Sequence, residues 1–171
     1  ISAKIFTEYL IGWNGHAITI PIFNQAGEIS FFKYRKDPDD TSDKSKYWYD
    51  TGSCAELYGW EHIKEPKPSL VICEGELDKL CLESNNIPAV TSTGGARTFK
   101  DQWITALKDS QSVLYICFDN DEVGVEASGY LAERFPNARI IEIPKGEGIK
   151  DVTEYIKKYG KDKFLELGDN A

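Results

Sequence analysis

Methionine is absent from the 171 residues, histidine occurs only twice, and cysteine four times. A chain that begins at Ile1 and holds no methionine is expected to be a piece of something longer. Cys54, Cys73, Cys81 and Cys117 form no Cys-x-x-Cys pair, and neither His16 nor His62 stands near one of them. That pattern excludes the usual zinc-ligand spacing. Cys73 and Cys117 fall inside apolar runs, where a thiol behaves as a small hydrophobe, and a reducing, cytoplasmic setting is expected. No apolar run approaches the ~18 residues that a membrane span needs, and nothing has the form of a signal peptide. No membrane partner is therefore expected. Repeats and low-complexity tracts are missing too.

Charge of one sign is in short supply. The net charge is −8 and the pI near 4.8, which argues against a protein that coats DNA electrostatically. Up to Pro68 the chain has 8 Lys+Arg against 10 Asp+Glu; after it, 12 against 18. The acidity is concentrated in the second part. Bound divalent cations would invert the potential there, so the bulk pI is a poor guide to its partners.

Two styles of sequence meet at Glu65-Pro-Lys-Pro-Ser69, a plausible linker, which divides the chain into 1–68 and 69–171. Before it, Ala17–Phe23 and Glu28–Arg35 read as two strands joined by a turn at Asn24-Gln25-Ala26-Gly27. A charged loop over Lys36–Lys46 leads to a short aromatic strand, Lys46–Tyr49, and Cys54–Ile63 suggests a short helix. After the linker, strands and helices alternate. The predicted strands are Leu70–Cys73, Ala89–Thr91, Val113–Phe118 and Arg139–Ile143. The predicted helices are Glu76–Ser84, Thr98–Lys108, Val123–Phe135 and Val152–Tyr159. Short apolar strands alternating with amphipathic helices imply a parallel α/β sheet with helices on both faces. A small mixed α+β subdomain with a β-hairpin precedes it.

Open parallel sheets bind ligands beyond the carboxyl ends of their strands. Those ends carry Glu74-Gly75, then Ser92-Thr93-Gly94-Gly95, then Asp119-Asn120-Asp121 with Gly124, and finally Lys150-Asp151. Crowded carboxylates repel one another, and a divalent cation resolves the conflict. Oxygen ligands without His or Cys suit Mg²⁺ or Mn²⁺ rather than zinc. Such ions complete their shells with water and substrate phosphates, which points to phosphoryl or phosphodiester chemistry. Each motif also has a plainer reading. Asp121 and Asp151 could simply cap helices, the latter in a capping box with Glu154. Gly94-Gly95 could be a tight turn rather than a phosphate cradle.

The ordered set Val71-Ile-Cys-Glu-Gly-Glu-Leu-Asp78, Thr93-Gly-Gly95, Phe118-Asp-Asn-Asp121 with Gly124, and Lys150-Asp-Val-Thr-Glu-Tyr155 resembles the Toprim domain. That Rossmann-like domain is shared by DnaG-type primases, phage primase-helicases, type IA and II topoisomerases, OLD-type nucleases and RecR. The resemblance implies that Glu74, Asp119 and Asp121 are catalytic and hold Mg²⁺ or Mn²⁺, with two ions expected and Asp151 as a further ligand. Where DnaG-type enzymes carry a second carboxylate, this chain has Thr153, a much weaker ligand. Upstream, Ile18-Thr-Ile-Pro-Ile22, Gly27, Arg35, Lys46-Tyr47 and Leu57-Tyr-Gly59 look like the subdomain preceding Toprim in DnaG-type primases. That match implies that Arg35 and Lys46 contact template or nucleotide phosphates, with Tyr47 alongside. Gly94 and Gly95, whose small-residue loop would let backbone N–H groups approach a phosphate, and Lys150 are the further nucleotide-binding candidates. Lys33, Arg35 and Lys36 taken alone would read as a solvated strand edge. The implied function is a DNA primase catalytic core that makes short RNA primers from NTPs on single-stranded DNA, beside a replicative helicase in the parent protein or complex. The alternatives are a Toprim-type metal-dependent nuclease and a non-enzymatic interaction module.

Overall fold

The computed structural model describes residues 1–43 and 45–171; Lys44, within the predicted charged loop, lies outside them. A helix, α1 (Ala3–Glu8), leads into a four-stranded antiparallel sheet of β1 (Gly12–Trp13), β2 (Ala17–Phe23), β3 (Ile29–Lys36) and β4 (Tyr47–Tyr49), in that spatial order. The β2–β3 hairpin closes through Asn24, whose carbonyl accepts from the Gly27 N–H and whose side chain accepts from the Glu28 N–H. Strand alternation puts Ile20, Ile22 and Phe31 on one face, where they pack with Tyr58 and Leu80.

The second sheet has five strands in the order β5-β7-β6-β8-β9: β5 (Leu57–Tyr58), β6 (Ser69–Cys73), β7 (Ala89–Ser92), β8 (Val113–Cys117) and β9 (Arg139–Ile140). All neighbours are parallel except β5, which runs antiparallel to β7. Its faces follow directly from the sequence. Leu70, Ile72, Leu114 and Ile116 point to one side, against α4 (Asp101–Asp109) and α5 (Glu122–Arg134). Val71, Cys73 and Cys117 point to the other, against α3 (Glu76–Ser84), α6 (Val152–Tyr159) and α7 (Lys161–Asp169). Each fully buried Leu or Ile contributes about 1.5–3 kcal/mol, so a sheet buried on both faces carries most of the stability. Among the described residues no helix is long and apolar enough to cross a membrane.

Four expectations change. The short helix expected within Cys54–Ile63 forms only at its end, as α2 (Glu61–Lys64), and is preceded by the edge strand β5. Leu57 and Tyr58 pair with Ser92 and Thr91, so sheet pairing overrides local propensity. Gly59 breaks the run: its φ is +127°, and a Cβ there would sit 2.6 Å from Val90. The predicted helix from Thr98 starts only at Asp101, after a single 3-10 turn at Ala96–Thr98. There the Thr98 hydroxyl donates back to the Gly95 carbonyl at 2.8 Å. The strand predicted to reach Ile143 pairs only over Arg139–Ile140. Finally α7, for which no helix was expected, is anchored by Phe164 in a mostly polar segment.

Candidate functional site

After β6 the chain turns to one side through α3 to reach β7, then crosses through α4 to β8 on the other side of β6. The carboxyl ends of β6 and β8 therefore flank the switch point of the sheet, the place where such folds bind ligands. Cys73 and Cys117 are register partners, which sets Glu74 beside the residues that follow β8. The Asp119 N–H donates to Glu74 Oε2 at 3.1 Å. Asp121 caps α5, its Oδ1 accepting from the Gly124 N–H at 2.8 Å. Gly124 is required here, since a Cβ would lie 2.2 Å from the Asp119 carbonyl oxygen. Asn120 ties in the next loop: its N–H donates to the Lys150 carbonyl and its Nδ2 to the Ile149 carbonyl, each at 2.9 Å. That loop delivers Asp151, which caps α6 by accepting from the Glu154 N–H at 2.7 Å. Glu154 reaches back to the Lys150 N–H at 2.7 Å, one residue beyond the reach of the expected capping box. Capping therefore accounts for one oxygen each of Asp121 and Asp151, and every carboxylate has a second.

A fifth acid joins them. Asp78 lies in the first turn of α3, and its Oδ1 accepts from the Thr153 hydroxyl at 2.7 Å. The signal for it was present in the Glu74-Gly-Glu-Leu-Asp78 stretch, where Asp78 falls in the first turn of the helix that follows the strand end. The electrostatics bind the group together. Burial, then Glu74, Asp78, Asp151 and Asp121, push the Asp119 carboxyl up to about 7. Burial raises Asp78 to about 6; the Thr153 hydrogen bond opposes this while Asp151, Glu74 and Glu76 add to it. Burial also raises Glu74, with Asp121 adding and the Asp119 N–H opposing. These carboxylates sit close enough to disfavour one another's charge. The donor set is hard oxygen with no sulfur or imidazole, and its repulsion is of the kind a hard divalent cation relieves.

The tightest trio of metal-type side chains among the described residues lies elsewhere. Ligand atoms of Glu61, His62 and Glu83 fall within 4.8 Å of one another. A cation already occupies that cluster. Lys79, fully buried, donates to Glu61 Oε1 at 2.8 Å, Glu83 Oε1 at 3.2 Å and the Tyr9 hydroxyl at 2.7 Å.

Across from the acids stands the inner face of β3 and β4. Arg35 pairs in register with Tyr47, and the Tyr47 ring lies 5.1 Å from the Lys33 ammonium, 5.9 Å from the Arg35 guanidinium and 5.7 Å from the Lys46 ammonium. Burial raises the Tyr47 hydroxyl; Arg35 opposes, while Glu76, Asp78 and Asp151 add to the rise. Tyr47 thus feels the basic strand and the acid edge at once. Lys33 overturns its reading as a solvated strand edge. Its side chain is 12% exposed and bonds both Glu76 oxygens, at 2.7 and 2.9 Å, and the Thr93 carbonyl at 2.9 Å. Lys36 donates to the Ser42 carbonyl at 2.6 Å, and Lys46 and Lys150 are exposed. At the glycine loop, the Gly95 N–H donates to the Ser92 carbonyl at 3.0 Å and the Gly94 N–H to Ser92 Oγ at 3.4 Å. Both N–H groups are engaged inside the turn.

Comparisons with known proteins bear on the family and the fold. A family model described as Toprim-like matches residues 71–156. Gene 57 protein of Mycobacterium phage D29 is 33% identical over 138 residues, covering 81% of this chain and 86% of that protein. A DNA primase of Clostridium acetobutylicum is 35% identical over 107 residues, covering 60% of this chain but only 17% of that primase. Among solved structures, a DnaG primase catalytic domain bound to ssDNA aligns with all of this chain and 68% of its own at a TM-score of 0.80 and 21% identity. The chain belongs to the Toprim-like family, and its fold is that of the DnaG primase catalytic core.

Proposed function

We propose that this chain is the catalytic core of a DNA primase, joining NTPs into short RNA primers on a single-stranded DNA template. The observation that carries the reading is Tyr47, whose ring lies against the Lys33, Arg35 and Lys46 cations, on a sheet tied to the start of α3 by the Lys33–Glu76 ion pair. A basic, aromatic strand thus stands beside an acid edge, an arrangement suited to a polyanion and its metal-bound phosphates. The primase found among the relatives and the ssDNA-bound catalytic domain of the same fold support the reading.

Glu74, Asp119 and Asp121 would hold Mg²⁺ or Mn²⁺, with Asp78 and Asp151 completing the set for a second ion. The bound ions would neutralise triphosphate charge and favour the alkoxide of the attacking 3′-hydroxyl. The protein's own part is placement. Arg35 and Lys46 would hold the template phosphates, with the Tyr47 ring beside them. Lys150 would meet the triphosphate, and the Gly94–Gly95 turn would border it, with open space beside Gly95. Asn120 would keep the Asp119–Asp121 and Lys150–Asp151 loops in step by binding one to the other. A replicative helicase would supply the template from the parent protein or complex.

The test is primer synthesis by the full-length parent protein on single-stranded DNA with Mg²⁺ or Mn²⁺, beside calorimetric Mn²⁺ titration. Wild type is expected to bind Mn²⁺ and make primers, and Asp119→Asn to lose both. Mn²⁺-dependent nicking of duplex DNA without any primer product would replace this reading with a nuclease.

A further inference from the structure

Lys33 is a lysine with an unusual set of partners. It sits on β3 beside the strand residues assigned to template, yet it points away from solvent. Its ammonium has three acceptors within 2.9 Å: both oxygens of Glu76 and the carbonyl of Thr93. Glu76 opens α3, two residues after Glu74, and Thr93 directly precedes Gly94 and Gly95. Thr93 is itself held from behind, its N–H donating to the Glu56 carbonyl at 3.0 Å and its Oγ1 accepting from the Glu56 N–H at 2.9 Å. One side chain therefore joins the hairpin, the turn that follows Glu74, and the glycine loop.

We propose that Lys33 is a positioning residue: the Lys33–Glu76–Thr93 junction sets the spacing between the basic strand carrying Arg35 and Tyr47 and the acid edge carrying Glu74. The proposal deepens the primase reading and rests on it for its consequence in catalysis. Lys33 has no capacity left for a phosphate, because an ammonium has three protons and three acceptors already claim them. It cannot serve as a template contact without abandoning a buried carboxylate. Glu76 is equally committed, since leaving it alone would strand a charge in a buried place. Loss of the junction would let template and metal-held nucleotide drift relative to each other while each keeps its own half-site. Displacements on the order of 1 Å cost up to about 100-fold in rate.

Spin labels test the spacing directly in the full-length protein. Ser30→Cys on β3 and Glu133→Cys on α5, both exposed, take the labels in a Cys54→Ser background that removes the exposed native thiol. A narrow distance distribution is expected with Lys33 present and a broadened or shifted one in Lys33→Met. The exchanged pair Lys33→Glu with Glu76→Lys restores the ion pair but not the donor to the Thr93 carbonyl, so it should narrow the distribution in part, which a mere loss of stability would not allow. In parallel, Lys33→Met should keep Mn²⁺ affinity and single-stranded DNA affinity within about twofold while primer synthesis falls about 10- to 100-fold in kcat. An unchanged distance distribution in Lys33→Met overturns the proposal. So does loss of Mn²⁺ affinity as severe as that of Asp119→Asn, which would put Lys33 in the acid edge itself. If the distances change as expected and wild type makes no primer, the spacing role stands and the primase reading fails.

Discussion

Two groups of carboxylates lie on either side of α3, and they are balanced in opposite ways. Glu61 and Glu83 surround the buried ammonium of Lys79, with the Tyr9 hydroxyl bonded to Glu61 at 2.8 Å and the His62 ring to Glu83 at 2.6 Å. Burial pushes both acids up; Lys79 and Tyr9 for Glu61, and His62 and Lys79 for Glu83, more than offset it, so both end below the ordinary range. At the acid edge, Asp119, Asp78 and Glu74 are also buried in part, but their charged neighbours are other acids, and all three end above that range. Proximity of metal-type ligands alone would select the first group. Charge balance selects the second. A cluster that carries its own cation is a structural junction, whereas one left with surplus negative charge is the candidate for a cation from outside.

Removing the internal cation should produce the largest change. Lys79→Met strands Glu61 and Glu83, and a buried pair broken from one side costs about 3–5 kcal/mol, read as a lower midpoint in urea. Adding Glu83→Gln to Lys79→Met should recover part of the loss. The acid edge should respond in the reverse sense. Asp119→Asn is expected to raise the urea midpoint in metal-free buffer by relieving repulsion, while lowering Mn²⁺ affinity and primer synthesis at least about 100-fold. If that variant were less stable than wild type without metal, the contrast between the two clusters would fail.

The pH dependence of stability should show both behaviours in one curve. Glu61 and Glu83 are held low, so their contribution is complete above the unfolded carboxylate pKa of about 4 and is lost as pH falls through their lowered values. Asp78 and Asp119 are raised to about 6 and about 7. Their contribution is complete below about pH 4 and is lost as pH rises to about 7. Stability without divalent cations should therefore peak between these arms and decline toward neutral pH, and saturating Mn²⁺ should flatten the upper arm. Urea titrations from pH 3 to 8, with and without Mn²⁺, would show it; an upper arm indifferent to Mn²⁺ would contradict the site. The smallest effect is expected from Thr153→Val, which removes one hydrogen bond to Asp78 and should cost about 1 kcal/mol, with Asp78 titrating higher still.

Much of this was legible in the chain. Ala17–Phe23, Glu76–Ser84 and Val152–Tyr159 fold over the residues their periodicity marks, because pattern, caps and burial agree there. Placing strand ends at one edge of a parallel sheet was enough to gather Glu74, Asp119, Asp121 and Asp151. Three things were hidden for physical reasons. Leu57–Tyr58 becomes a strand only because β7 offers an edge to pair with, which local sequence does not encode. Phe164 anchors α7 among charged residues, so its periodicity is faint. Lys33 resembles any exposed strand lysine until Glu76 and Thr93 close over it.

The strand at Leu57–Tyr58 also bears on how this chain can be divided. It is the outermost strand beside β7, and it comes from the stretch before Pro68. A polypeptide trimmed to begin at Ser69 would keep every carboxylate of the acid edge and still present the bare hydrogen-bonding edge of Ala89–Ser92 to solvent. Such an edge, flanked by the buried side chains of Val90 and Ala89, is an invitation to pair with another molecule. The short segment that precedes the linker thus covers that edge, and cuts meant to isolate the acid-bearing half are best made before Leu57.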